Sequence, residues 1–168
     1  TIAGDGSTFA SEGYGPQVGI GQPKAIAIID QTMLVGDSNA FRVLRIDLSS
    51  LMVTTLIGGP TRQSGIENVP TADAFVWDPA AIEVAGNGDV FIADQFFKRV
   101  YRIDYATQRF ETVVGAAAVG EGQLATSFAN TRSIGKIDIG PTGNLVFESE
   151  GIIRTVDERG VLRTIAGT

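Results

Sequence analysis

The sequence predicts an all-β repeat protein, and three observations support this. A segment of the form Thr-x-x-Gly starts at residues 1, 55, 112 and 164, which indicates a repeat of roughly 55 residues. Each interval holds four short stretches rich in Val, Ile, Leu or Phe. Gly, Pro, Asn and Asp separate these stretches, as expected for tight turns. Together these features predict three repeats of four antiparallel strands.

The repeats follow one another without a domain linker. We predict a single repeat domain over residues 1–168, with repeats at approximately 5–58, 59–115 and 116–167. No stretch has a useful apolar period of 3.6 residues, so no long helix is expected. The predicted strands are Ala25–Ile29, Met33–Gly36, Val43–Asp47 and Val53–Ile57 in repeat one, Ala81–Ala85, Val90–Ala93, Val100–Asp104 and Phe110–Val114 in repeat two, and Ile134–Ile139, Leu145–Phe147, Ile153–Asp157 and Val161–Ile165 in repeat three.

The first and third strands of a repeat differ in pattern. The first strand is nearly all small or aliphatic, which is typical of a strand covered on both faces. The third strand alternates, as in Arg42–Asp47 and Arg99–Asp104, which predicts solvated positions nearer the rim of a sheet. We therefore expect the first strand to be innermost.

Composition excludes several function classes. The formal net charge of −6 disfavours binding to nucleic acid or to an anionic membrane. The chain contains neither His nor Cys, which removes the commonest general base and all thiolate chemistry. It also has no apolar run of about 18 residues. We expect a soluble protein, and the sequence does not indicate its compartment.

Two segments carry a resemblance to a known family. The pattern of Val35–Asp37 and Arg42–Asp47 recurs as Ile92–Asp94 and Arg99–Asp104. Together with the Gly-Asn-Gly-Asp turn at 86–89 and the Thr-Ile-Ala-Gly-type segments, the ordered set resembles the NHL-repeat β-propellers over essentially the whole chain. The resemblance implies a β-propeller of four-stranded antiparallel blades, with three blades in this chain. Repeat three departs from the pattern, because Ser149 replaces the aspartate of the other repeats.

Three blades do not close a ring, because propellers have about four to eight. Two exposed blade faces would form an apolar patch that soluble monomers rarely carry. A two-fold homodimer would complete six blades. The alternative is that the chain is a fragment of a larger propeller protein. Thr1–Gly4 and Thr164–Gly167 would occupy the same fourth-strand position, so a closed dimer would contain a surplus copy, and both interpretations stay open.

Strand parity predicts that the long loops lie on one side of the blades, which we call the loop face. It carries the segments 5–23, 59–79 and 116–131 and the turns 37–42, 94–99 and 149–154. The candidate ligand- or partner-binding residues on it are Phe9, Tyr14, Trp77, Phe41, Phe96, Phe97, Lys24 and Arg132. The aromatic residues would contact a partner or stack on a sugar ring, or else pack as a small satellite core. The two cations would attract a small anion at a channel mouth, or else be solvated.

The remaining candidates are predicted to be structural. An aspartate that caps a turn and an arginine that bridges to it need no ligand, and the pair recurs in two repeats. The structural turn residues are Asp37, Arg42, Asp94, Arg99, Ser149 and Arg154.

Catalysis has little support in the sequence. Some six-bladed propellers that the chain resembles are metal-dependent lyases or lactonases, whose chemistry typically needs His or convergent carboxylates. Glu83 and Asp138 are the only acidic residues in the predicted first strands, and a dimer would bring two of each, enough to allow an oxygen-only calcium site. We predict no catalytic residue, metal or cofactor. The favoured function is a non-enzymatic binding or scaffold propeller, self-associated as a homodimer, with a protein, peptide or carbohydrate partner; a lyase- or lactonase-like enzyme is the alternative.

Overall fold

The computed structural model describes residues 1–8, 11–58, 68–115, 124–127 and 134–167. In these residues three antiparallel sheets, which we call blades 1, 2 and 3, follow one another along the chain. Blade 1 contains β1 (Gly13–Tyr14), β2 (Pro23–Ile29), β3 (Thr32–Asp37), β4 (Arg42–Asp47) and β5 (Met52–Gly58); blade 2 contains β6 (Val69–Pro70), β7 (Pro79–Val84), β8 (Val90–Asp94), β9 (Arg99–Asp104) and β10 (Arg109–Val114); blade 3 contains β11 (Ile134–Ile139), β12 (Leu145–Ser149), β13 (Ile152–Val156) and β14 (Leu162–Ala166).

The all-β prediction is confirmed, with four meandering strands in each blade. Ala85 and Asp157 fall just beyond β7 and β13, and Val161 precedes β14. The sequence reasoning missed two short fifth strands, β1 and β6, which pair with β5 and β10. Each has only two residues, too few for an alternating apolar pattern.

Three short 3-10 turns precede the first strands, at Gly15–Gln17, Thr71–Asp73 and Ala125–Ser127. The first residue of each donates its backbone N–H to the turn between strands three and four, at the carbonyls of Leu51, Gln108 and Gly160. The same bond in three blades shows that the repeats are structurally equivalent. None of the helical segments in the described ranges is long and apolar enough to cross a membrane.

Apolar side chains from adjacent blades interdigitate. We call the side of a blade that points toward the next blade in sequence its front face, and the opposite side its back face. Leu34 and Val43 on the front face of blade 1 share a cluster with Ile92 and Phe110 on the back face of blade 2. A second cluster joins the front of blade 2 to the back of blade 3, where Phe147 is 1% exposed. Burying each such side chain contributes roughly 1.5–3 kcal/mol, so these junctions hold the stack together.

The back face of blade 1 differs from the other back faces. Val18 and Ala3 pack on its outer strands beside Leu44 and Val53. On the inner strand, however, Ile26 and Ile28 are each 61% exposed. The expectation that a first strand is covered on both faces is therefore wrong for β2, because no described blade packs over this end of the stack.

Candidate binding surface on the loop face

Two buried aspartates anchor the loop face, and both lie at the end of the second strand of a blade. Asp37, at the end of β3, accepts hydrogen bonds from the backbone N–H groups of Gly21 and Gln22 at 3.1 and 2.9 Å. It also accepts a longer bond, 3.4 Å, from Ala40 N in the following turn. The carboxylate therefore ties the segment before β2 to the turn between β3 and β4.

Asp94 has the same role at the end of β8, and most of the backbone N–H groups that it binds belong to aromatic residues. Its carboxylate accepts from Trp77 N at 2.7 Å and from Phe96 N and Phe97 N at 3.0 Å each. A longer bond from Asp78 N, 3.4 Å, completes the set. Burial raises the pKa of this carboxyl above its usual value, against the lowering effect of the four N–H donors. One buried carboxylate thus positions three aromatic residues.

The rings of these residues form one cluster across the junction of blades 1 and 2. Trp77 lies at its centre, with ring centroids 4.7 Å from Phe41 and 4.7 Å from Phe96. Trp77 and Phe96 are stacked at 24°, whereas Phe75 and Phe97 meet Trp77 edge-on at 6.1 and 6.3 Å. Phe75 is 6% exposed and Phe96 is 57% exposed. The cluster therefore has a buried floor and an open top, and we call it the aromatic surface.

A polar group lies beside the aromatic surface and joins the two blades. Asp78, the residue after Trp77, accepts from Lys24 Nζ at 2.8 and 2.9 Å and from Ser38 Oγ at 2.5 Å. Lys24 is the second residue of β2, the inner strand of blade 1, and Asp78 directly precedes β7 of blade 2, so this ion pair spans the junction. Asp78 offsets the charge of Lys24, and attraction of an anion by Lys24 stays a prediction.

The arginines that follow the anchoring turns are not equally solvated. Arg42 is 3% exposed, although the alternating pattern of β4 predicted solvated positions. It donates to Asp37 Oδ2 at 3.3 Å and to the carbonyls of Ser11 and Gly19 at 3.1 and 3.0 Å. These partners are distant in sequence, so the local pattern carries no sign of them. In blade 3, Arg154 donates to Ser149 O at 2.9 Å and is only partly buried.

The structure brings together four of the eight predicted binding residues, namely Phe41, Trp77, Phe96 and Phe97. Tyr14 lies apart from them in β1, at the outer edge of blade 1, and is 48% exposed. Phe9 and Arg132 lie outside the described residues. Phe75 was missed; it stands two residues before Trp77, and that spacing was the available signal.

The inner strands hold an acidic pair and no larger ligand set. Burial, and to a lesser extent the charge of Asp138, raises the pKa of Glu83. In the described ranges no group of three or more His, Cys, Asp or Glu residues converges as a metal site would require. Two carboxylates provide fewer ligands than the six to eight oxygens that calcium takes.

A cleft of about 780 Å³ opens between blades 2 and 3. Its lining includes the turns at 142–145 and 156–160, which lie on the side opposite the loop face. Arg102 in its wall bonds Glu111 at 2.8 Å and lies 3.5 Å from Asp89. Acidic partners already surround this cation, and much of the remaining lining is apolar, with Phe91, Leu124 and Leu145 among its residues. The cleft does not border the aromatic surface.

Comparison with solved structures identifies the fold. The chain is similar to a streptogramin B lyase over 93% of this chain and 44% of the lyase chain, with a TM-score of 0.56 and 15% identity. The virginiamycin B lyase of Staphylococcus aureus is similar over 84% of this chain and 40% of its own, with a TM-score of 0.53 and 18% identity. The chain is a partial β-propeller.

An extracellular domain of a putative hybrid two component system from B. thetaiotaomicron is also similar, with a TM-score of 0.56 and 7% identity over 87% of this chain and 18% of its own. The chain spans less than half the length of each of these three structures. No protein-family model matches the sequence. A comparison with curated proteins gives no match either.

Proposed function

We propose that this propeller is a non-enzymatic binding module and that the aromatic surface on its loop face is where a partner binds. The observation that carries the proposal is the arrangement of Phe96. The residue is 57% exposed, yet its ring is stacked on Trp77 and its backbone N–H is held by the buried Asp94 carboxylate. A large apolar ring fixed in solvent costs free energy that a partner would recover.

The chemistry of the surface favours a protein or peptide, with a carbohydrate as the second choice. Trp77 and Phe97 present rings at different angles around Phe96, which suits an apolar side chain inserted among them. Rigid aromatic anchors of this kind dominate protein interfaces. The net charge of −6 and the neutralisation of Lys24 by Asp78 disfavour nucleic acid.

We also propose that the repeats are of the NHL type and that two chains form a six-bladed ring. The first part rests on the recurrence of Val35–Asp37 with Arg42–Asp47 as Ile92–Asp94 with Arg99–Asp104. The second rests on Ile26 and Ile28, whose exposure leaves an apolar sheet face open to solvent. A second copy would supply the missing blades.

The alternative enzyme function has weaker support. Two of the similar structures are lyases, and a histidine-to-alanine variant of the Staphylococcus aureus enzyme is described as catalytically inactive. This chain has no His. A lyase of that kind would need its histidine from outside these 168 residues, which makes the binding function the better supported one.

The experiment uses Trp77, the single tryptophan, as an internal reporter of the surface. A displayed library of random linear peptides is selected on the immobilised protein, and the selected peptides are titrated while the Trp77 emission is recorded. We expect a saturable change in emission. We also expect the variant Phe96→Ala to raise the dissociation constant at least about tenfold, as for a hot-spot residue.

The matched control is Tyr105→Ala. Tyr105 is 65% exposed and lies in the turn after β9, on the side opposite the loop face. Its removal should leave peptide affinity unchanged. Equal affinity of the selected peptides for the wild type and Phe96→Ala would refute the proposed site. A panel of neutral monosaccharides that shifts Trp77 emission while no peptide does so would redirect the proposal to carbohydrate.

A further inference from the structure

The two ends of the chain carry the same four residues, Thr-Ile-Ala-Gly at 1–4 and at 164–167. Their glycines share one conformation with those that end the same segment in blades 1 and 2. The φ angles of Gly4, Gly58, Gly115 and Gly167 are 101°, 89°, 93° and 93°, all in the left-handed region. Thr1–Gly4 therefore has the end geometry of an outermost strand, although it belongs to no described sheet.

Each end has only half of the contacts that an outermost strand makes. Gly4 N donates to Gly15 O at 3.0 Å, and Gly115 N makes the equivalent bond to Ala125 O at 3.1 Å. Thr1–Gly4 thus meets the following blade as an outermost strand should. In contrast, β14 pairs with β13 in its own blade, but no described blade follows it.

In the described part of the chain, Gly4 lacks the contact with a third strand that the equivalent glycines make. A Cβ at Gly58, Gly115 or Gly167 would clash with the carbonyl just before the third strand of the same blade. Among the described residues, nothing lies within 4 Å of a Cβ at Gly4. No residue in the described ranges fills the place beside Thr1–Gly4 that a third strand would occupy.

At the same end of the stack, the back face of the inner strand β2 is also exposed. Ile26, Ile82 and Ile137 hold the same position in the first strand of blades 1, 2 and 3, each opposite the second strand. Ile82 and Ile137 are 3% and 7% exposed, because the preceding blade covers them, whereas Ile26 is 61% exposed. The back face of blade 1 and the free side of Thr1–Gly4 form one socket for a three-stranded sheet.

We propose that the socket receives blade 3 of a second copy, and that Thr1–Gly4 there replaces Thr164–Gly167 as the outermost strand against β13. This inference rests on the two-chain ring proposed above. The two segments cannot occupy one position together, and their identical sequences allow one to replace the other residue for residue. Thr1–Gly4 is already held in that position by its bonds to blade 1, so the end of β14 is the segment displaced.

Blade 3 also contains a feature that limits the affinity of this joint. On its front face Lys136 and Glu148 lie directly opposite each other, where blade 1 has Ala25 opposite Gly36. Covering this pair with the isoleucines of blade 1 would desolvate two charges. We expect the double variant Lys136→Ala, Glu148→Ala to tighten the dimer.

Two truncations and light scattering over a dilution series test the proposal. Removing residues 164–168 should leave the dimer intact or tighten it, and removing residues 1–4 should raise its dissociation constant at least about tenfold. If β14 stays in place and Thr1–Gly4 is the segment expelled, the two truncations will have the opposite effects, and the proposed exchange is wrong. A chain that stays at 17.7 kDa in every variant would contradict the two-chain ring itself.

A crosslink gives the same answer without relying on affinity. In β13, Ile153 lies opposite Ala166, the equivalent of Ala3. In this Cys-free chain, the pair Ala3→Cys and Ile153→Cys should form a disulfide between two chains. A separate control variant carries the pair Ile153→Cys and Ala166→Cys. In the dimer it should form little disulfide within one chain, because the end of β14 is displaced from β13. A dimer by mass that gives no Ala3→Cys, Ile153→Cys crosslink would refute the strand exchange and leave the ring standing.

Discussion

The second strand ends in aspartate in blade 2 and in serine in blade 3, and the two buried side chains differ in how many hydrogen bonds they can accept. In blade 2 the buried Asp94 accepts four backbone N–H groups and holds Trp77, Phe96 and Phe97 in one cluster. In blade 3 the equivalent Ser149 is equally buried but has a single hydroxyl. The comparison teaches that a buried carboxylate, with lone pairs for several donors, can tie the segment before a blade to a turn within it, as Asp94 does for Trp77, Phe96 and Phe97.

The largest expected effect comes from removing that carboxylate. Asp94→Ala leaves four N–H groups without their acceptor in a buried site, and we expect a loss of about 3 kcal/mol in the free energy of unfolding. Ser149→Ala, the matched change in blade 3, should cost about 1 kcal/mol. Urea unfolding followed by circular dichroism measures both. Equal losses would remove the basis of the comparison.

The arginines provide the next largest contrast. Arg42→Lys cannot reproduce the fork of bonds to Asp37, Ser11 O and Gly19 O, so we expect a loss of about 2 kcal/mol. Arg154→Lys, in the more exposed position of blade 3, should cost about 0.5 kcal/mol. Urea unfolding followed by circular dichroism measures both losses. A larger loss at Arg154 than at Arg42 would show that burial does not determine the role of these arginines.

Acid titration separates the buried anchor from an exposed turn aspartate. Hydrogen bonds from Ser49 and Ser50 lower the pKa of Asp47 to about 2, so its contribution is present above pH 3.8 and is lost as the pH falls toward 2. Burial raises the pKa of Asp94 above 3.8, so its contribution is fully present below 3.8 and is lost as the pH rises through the raised pKa.

The variants should therefore respond to acid in opposite directions. On acidification the stability advantage of the wild type over Asp47→Asn should shrink, and its advantage over Asp94→Asn should grow. Urea unfolding at a series of pH values between about 2.5 and 6 measures both differences. Parallel profiles for the two variants would contradict the assignment of Asp94 as a desolvated carboxyl.

The smallest expected effect is at Tyr14. It lies at the outer edge of blade 1, away from the aromatic surface, so Tyr14→Ala should change stability by no more than about 0.5 kcal/mol. It should also leave the affinity for selected peptides unchanged in the Trp77 titration. Weaker peptide binding by this variant would extend the binding surface toward β1.

The strands were predictable from sequence because each is short, apolar and bounded by turn residues, as in Val100–Asp104. The burial of Arg42 was not, since its carbonyl partners lie in a segment that no local period links to β4. The aromatic surface was only partly predictable. Phe41 and Phe96 belong to different blades, and only the stacking of the blades brings both rings against Trp77.

The central claim is that Asp94 organises the binding surface, and peptide affinity of a folded variant tests it most directly. Asp94→Asn keeps the shape of the side chain and places an N–H₂ group among backbone donors. At a temperature where both variants are fully folded, we expect Asp94→Asn to bind the selected peptides at least about tenfold more weakly than the wild type, and Ser149→Ala to bind them normally. Wild-type affinity in Asp94→Asn would contradict the account.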